Sequence, residues 1–186
     1  KNVKIVISGA GAAGITVSNL LFEYGFKNIC MCDSGGVITD GRNNLNGYKE
    51  NLLGQSSATC PIGNCNLALK DADVLIGVSK PGQFTVKDIK TMNPDAIVFA
   101  MANPIPEIIP DEAKKGGAKV VATGRSDFPN QINNALVFPG LFRGLLDNEI
   151  QKVTSEIKLT VAEAIAEMIE SPNSEKIIPS IFEKGL

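Results

Sequence analysis

The chain has 186 residues, 44% of them apolar and 20% charged, with a formal net charge of −2, which suits one α/β domain with a buried core. No apolar run approaches the roughly 18 residues that cross a bilayer. The 18 basic residues are dispersed, with no cationic stripe to neutralise a phosphate backbone, so neither a membrane nor a nucleic acid is expected as a partner.

In chain order, apolar strand-like runs recur at residues 3–8, 29–32, 74–78, 96–101 and 119–122, separated by segments of helical or loop character. That alternation predicts a mainly parallel sheet between two layers of helices, a three-layer α/β domain. After the first run, Gly9, Gly11 and Gly14 form a G-x-G-x-x-G motif. Gly9 permits a tight turn, Gly11 lets the backbone approach a pyrophosphate, and Gly14 lets the helix pack closely on the strand. A strand before the motif and a helix after it predict a Rossmann-type doubly wound fold. Gly9, Gly11, Ala12, Ala13 and Gly14 would then offer backbone amides to a dinucleotide. The helix is expected to bury Ala13, Val17, Leu20, Leu21 and Tyr24 before Gly25 stops it.

The second run leads to Asp33, a carboxylate placed to accept hydrogen bonds from the adenosine ribose, with Ser34 beside it in the expected cofactor set. A 2′-phosphate about 4 Å from that carboxylate would be repelled by about 4 kcal/mol at an effective dielectric near 20. NAD is therefore favoured, with NADP the alternative if Arg42 and Lys49 in the following loop offset the charge. Both are read as solvated loop cations. Residues 34–66 are rich in Gly, Asn and Ser and are expected to form a long loop shaped by a ligand or partner, with one short helix near 49–53.

Cys30 and Cys32 are expected to point to opposite faces of the second strand and to be poor mutual partners. Cys60 and Cys65 could meet, but the chain has no His and no second short-spaced pair, which argues against zinc. Free thiols in a reducing compartment are the expectation.

Gly77, Val78 and Ser79 end the third run, where close backbone approach to a cofactor is expected. Asp71 and Asp73 lie at the entrance of that strand, remote from the cofactor edge, and read as a turn. Beyond Pro139, Ile150, Val153, Ile157, Val161, Ile165 and Met168 make a helical stripe. It predicts a core over about 1–148, a C-terminal helix over 149–171 and an apolar-studded tail over 172–186, in a single domain.

The segments ADVLIGVSKPG (72–82), FAMANPIPEIIPDEA (99–113), TGRSDFPNQINN (123–134) and FPGLFRGLLD (138–147) resemble the cofactor-binding domain of malic enzymes, particularly the shorter microbial form. The resemblance covers residues 3 to about 170. It implies NAD or NADP as cofactor, with Asn103 near nicotinamide and substrate, Asn133 at the nicotinamide ribose and Asn134 at the malate carboxylate. Asn133 and Asn134 are expected to be buried amides in need of partners. Arg125 and Asp127 are expected to pair and fix the turn carrying these asparagines. Pro104, Pro106 and Pro110 are expected to hold their loop extended.

The same resemblance implies oxidation of malate and loss of carbon dioxide to give pyruvate, aided by Mg or Mn. The lysine, tyrosine and carboxylates for that chemistry lie upstream of the glycine motif in the family. Neither Tyr24 nor Tyr48 accompanies a lysine in a recognisable motif, so no catalytic or metal-binding residue is expected in this chain. It should bind nucleotide without turnover, as an excised domain or truncated product. A malolactic-type enzyme and a non-catalytic dinucleotide-sensing module are the alternatives. The resemblance implies a homo-oligomer, and the lack of a signal or transit segment before the first strand points to the cytoplasm.

Overall fold

Unbroken apolar runs become strands here because helices cover both faces of the sheet, so residues pointing either way are buried. The computed structural model describes residues 2–43 and 45–185. Its strands are β1 (Ile5–Ser8), β2 (Ile29–Asp33), β3 (Gly36–Val37), β4 (Val74–Gly77), β5 (Ile97–Ala100) and β6 (Val120–Thr123). They form one sheet in the order β3-β2-β1-β4-β5-β6. All pairings are parallel except β2 with β3, which is antiparallel. The five expected strands are present, each within two residues of its expected ends.

The helices are α1 (Ala12–Tyr24), α2 (Gly47–Gln55), α3 (Cys65–Ala68), α4 (Val86–Ile89), α5 (Pro110–Lys115), α6 (Phe138–Asp147) and α7 (Ser155–Glu167). Strand side chains alternate between two cores. Val6, Leu75, Val98 and Val121 pack with Ala68, Ile89 and Ala113 of α3, α4 and α5. Ile5, Ile7, Ile29 and Ile76 pack with Phe22 of α1 and Leu52 of α2. This is the α/β, doubly wound, three-layer fold expected.

The register is flush: Ser8 lies level with Cys32 and Gly77, Gly77 with Ala100, and Ala100 with Thr123. The loops that leave the carboxyl ends of the parallel strands therefore open at one edge. Strand order reverses at β1, with β2 on one side and β4 on the other. That is the crevice where doubly wound sheets hold ligands.

Several expectations need correction. In α1 the fully buried residues are Gly14, Ser18 and Phe22, while Ala13 and Tyr24 are exposed. Close seating of Gly14 on the strands rotates the helix so that positions four apart from it face the sheet. Gly25 does end the helix, in the left-handed conformation at φ 105°. The 34–66 segment is less irregular than composition suggests, holding β3, α2 and the start of α3.

Cys30 and Cys32 share a face, because residues two apart on a strand point the same way, and both lie in the core against α3, α4 and α5. Cys30 is joined to Cys60 in a disulfide with Cα atoms 5.7 Å apart. Free thiols were expected throughout; instead the 34–66 segment folds back and brings Cys60 against β2. Cys32 and Cys65 are free and buried. Hydrogen bonding to Cys65, then burial, hold the Cys32 thiol far above its ordinary pKa, which makes it inert.

The C-terminal helix is shorter than the stripe implied. α7 starts at Ser155, capped by Thr154, whose hydroxyl accepts from Ile157 N at 3.3 Å, and residues 148–154 are irregular. Val153, Ile157, Val161, Ile165 and Met168 are half-buried, and Ser155 Oγ donates to Glu23 Oε1 of α1 at 3.1 Å. No helix among the described residues is long and apolar enough to cross a membrane.

Candidate functional site

The glycine motif sits where β1 delivers it, at the crevice. Gly9 has φ +114°, and a Cβ there would collide with the Val78 carbonyl oxygen. A Cβ on Gly14 would collide with the Gly9 carbonyl oxygen, so both glycines are required by packing. Gly11 differs, since nothing lies within 4 Å of where its Cβ would point. The position is open, so a side chain there would project into free space beside the start of α1. Gly11 caps α1 without any side-chain hydrogen bond, and no acidic residue occupies the first turn. Ala12 and Ala13 are exposed. The first-turn amides of a 13-residue helix therefore meet the crevice with the positive end of the helix dipole, a setting that fits a pyrophosphate.

Gly9 N donates to Cys32 O at 2.9 Å and Val78 N to Ser8 O at 2.8 Å, so the motif is fastened to strands on both sides. Ser8 Oγ lies 3.1 Å from Ser79 Oγ. Gly77 is buried, Val78 half-buried and Ser79 exposed at the carboxyl end of β4.

Asp33, at the end of β2, is not waiting alone for a ribose. Its Oδ1 accepts from Arg42 at 2.6 Å and from Gly35 N at 2.8 Å, and its Oδ2 accepts from Lys49 Nζ at 2.7 Å. Arg42 also donates to Gly36 O and Val37 O. Burial opposes ionisation of Asp33, but hydrogen bonds from Lys49, Arg42 and the Gly35 amide outweigh it and hold the carboxyl below its ordinary pKa. The reading of Arg42 and Lys49 as solvated loop cations is therefore corrected. Their side chains are only 23% and 18% exposed, and with Asp33 they leave one net positive charge beside Ser34, which is exposed.

Asn103 is exposed three positions beyond the last paired residue of β5, and the Asn103–Pro104 peptide bond is cis. The loop bends at 103–105 rather than staying extended, while Pro106 is buried and Pro110 starts α5. Asn133 is half-buried and Asn134 exposed, so the expected pair of buried amides is not present. Asn133 instead caps a 3-10 turn (Asn134–Leu136), its Oδ1 accepting from Ala135 N at 2.9 Å. The buried amide of the run is Asn130, at φ 56°. It donates to Val121 O and Ser174 O and accepts from Ile177 N, pinning the tail to β6. Arg125 and Asp127 pair through two hydrogen bonds at 2.8 and 2.6 Å, as expected. Asp73 accepts from Lys4 N and Asn93 Nδ2, a structural role at the remote end of β4.

Sequence reasoning passed over Glu107. It is fully buried, Oε1 accepting from Ser79 N at 2.7 Å and Oε2 from Ala102 N at 3.0 Å. The signal was an acid flanked by Pro106 and Ile108 in an apolar run, a residue type almost never buried without partners. Among the described residues, no group of three or more His, Cys, Asp or Glu is arranged to hold a metal ion.

Residues 1–183 match the family model of the malic enzyme, NAD binding domain. The chain is 45% identical to the bifunctional malic/malolactic enzyme of Bacillus subtilis (strain 168), over 98% of this chain and 45% of that protein. It is 38% identical to the NADP-dependent malic enzyme of Escherichia coli (strain K12), over 100% of this chain and 24% of that protein. The crystal structure of the NAD-dependent malic enzyme of Thermotoga maritima superposes with a TM-score of 0.92 at 39% identity, covering 98% of this chain and 48% of that one. The chain thus spans less than half the length of these relatives, which include proteins named for NAD and for NADP. With the family match running almost end to end, the chain belongs to the NAD-binding domain family of the malic enzymes.

Proposed function

We propose that the domain holds NAD or NADP across the carboxyl edge of the sheet, as the cofactor half of an enzyme that oxidises and decarboxylates malate to pyruvate and carbon dioxide. The observation that carries this reading is the uncapped N-terminus of α1 behind the open position at Gly11. Gly9, Gly11, Ala12, Ala13 and Gly14 cradle the pyrophosphate, Asp33 and Ser34 face the adenosine ribose, and Gly77, Val78 and Ser79 line the nicotinamide side. Asn103 and Asn133 approach the nicotinamide nucleotide, and Asn103 and Asn134 the substrate. When bound, the nicotinamide accepts hydride from the substrate C2; the amides bind and orient, offering donor and acceptor without added charge. A divalent metal, Mg or Mn, would belong to the complete enzyme and would supply Lewis-acid stabilisation of negative charge there.

The chain by itself binds nucleotide without turnover, because it spans less than half the length of its relatives and, in the resemblance, the lysine, tyrosine and carboxylates for the chemistry lie upstream of the glycine motif. Calorimetric titration with NAD and NADP, alongside malate-dependent nucleotide reduction with manganese by this chain and by a full-length form, tests the reading. Malate turnover by the chain alone would sink the claim of incompleteness. Absence of nucleotide binding would sink the site itself. The name of the Bacillus subtilis relative favours one second reading, a malolactic outcome, recognised by lactate formation without net nucleotide reduction.

The complete protein is proposed to be a homo-oligomer, and sedimentation of a full-length form tests this. Its compartment is proposed to be the cytoplasm, supported by the free thiols Cys32 and Cys65. The Cys30–Cys60 bond pulls the other way, since cytosolic thiol buffers keep such pairs reduced. Thiol trapping at lysis decides: four alkylated cysteines fit the cytoplasm, two an oxidising compartment.

A further inference from the structure

We propose that Glu107 is a positioning residue for the nicotinamide half of the bound dinucleotide, a role that rests on the reading of this edge as the NAD(P) site. Glu107 is 0% exposed. The hydrogen bonds of its carboxyl group reach the ends of two strands on the far side of the switch point. Oε1 accepts from Ser79 N at 2.7 Å and lies 3.4 Å from Ser79 Oγ, while Oε2 accepts from Ala102 N at 3.0 Å. Ser79 and Ala102 occupy matching places, each two residues beyond the last paired residue of its strand, Gly77 of β4 and Ala100 of β5. One side chain thus fixes the spacing of both loops where they leave the sheet.

The neighbourhood is built around that carboxyl group. A Cβ on Gly77 would stand 2.7 Å from Oε2 and 2.9 Å from Cγ of Glu107, so residue 77 must lack a side chain for the clamp to fit. The backbone repeats the tie from the other side, with Gly82 N donating to Pro106 O and Phe84 N to Glu107 O, both at 3.1 Å. The Ser79 hydroxyl, held between Ser8 Oγ and Gln83 Oε1, is oriented by the same anchor.

A doubly wound sheet binds its dinucleotide in two halves, one on each side of the switch point. The β2 side carries Asp33 and the adenosine; the carboxyl group of Glu107 accepts its hydrogen bonds on the β4–β5 side. Loss of the clamp is therefore selective. Glu107→Gln preserves volume but turns one acceptor into a donor facing a backbone N–H. It leaves that amide without a partner and lets one of the two loops drift.

The test compares NADH with ADP, which carries the adenosine and pyrophosphate alone, on the full 186-residue chain. E107Q is expected to bind NADH about tenfold more weakly, the scale of one lost buried hydrogen bond, and to bind ADP as wild type does. At saturation, its bound NADH should also show less of the fluorescence enhancement that a confined nicotinamide gives. Unchanged ADP affinity certifies the fold; if E107Q does not fold, Glu107→Asp, which retracts both oxygens by one methylene, gives the same comparison. Equal weakening of NADH and ADP, or no change in either, overturns the positioning role. Failure of the wild-type chain to bind NADH while binding ADP overturns the two-half site on which the role rests.

Discussion

Lys49, in the first turn of α2, donates to Asp33 Oδ2 across 2.7 Å and so ties the end of β2 to the helix that follows it. Arg42 grips the other oxygen. The carboxylate that by itself argues against a 2′-phosphate is thus part of a group whose net charge is positive.

Cofactor choice follows from that sum. Arg42→Ala should lower NADP affinity about tenfold or more, the worth of a charge-assisted hydrogen bond, while changing NAD affinity little. Calorimetry with both nucleotides checks it. If the two affinities fall together, Arg42 serves only to hold the loop.

Acid stability carries the same signature. The Asp33 carboxyl is held below its ordinary pKa in the folded chain. Its ion pairs are thus fully formed above the unfolded value of about 4 and are lost as pH falls through the depressed folded value. Urea unfolding of wild type and Asp33→Asn should differ by about 2 kcal/mol at pH 7. The gap should close in the acid range below that unfolded value, and a constant gap would contradict the linkage.

Two glycines separate folding from binding. Gly14→Ala drives a methyl into the Gly9 carbonyl and should cost about 3 kcal/mol or prevent folding, as overpacked cores do. Gly11→Ala has open space around it and should melt within a few degrees of wild type while losing most of its nucleotide affinity. Thermal unfolding read beside nucleotide titration distinguishes them.

The Cys30–Cys60 bond closes a sequence separation of 30 residues. Replacing both cysteines with serine should lower stability by about 4 kcal/mol on loop entropy, and thiol titration of the unfolded, unreduced chain should find Cys32 and Cys65 alone. Titration of all four in oxidised material would remove the crosslink.

Short-range patterns were readable in the sequence; contacts that cross the chain were not. Five strands and the start and stop of α1 follow from apolar runs and glycine chemistry, which act locally. The face of α1 was read correctly at Val17 and Leu21, which pack on the core, and misjudged at its flanks, because apolar periodicity is blind to the seating of Gly14, which puts Ser18 rather than Tyr24 inward. The place of Asp33 at the end of β2 was legible, whereas its two cations approach from α2 and the preceding loop, and no local rule foretells that. Glu107 stayed hidden because its partners, Ser79 and Ala102, are fixed by two separate strands.

Both margins of the sheet are closed. On one side, two-residue β3 covers the end of β2, Ile38 N takes Met31 O, and Ser56 Oγ takes Ile29 O. On the other, Asn130 holds Val121 O and Ile132 N takes Thr123 O. With those acceptors engaged, neither margin offers a continuous ladder for strand addition by a second chain. Growth of this sheet into fibrils is disfavoured at both ends, and subunits that associate must meet through helices and loops.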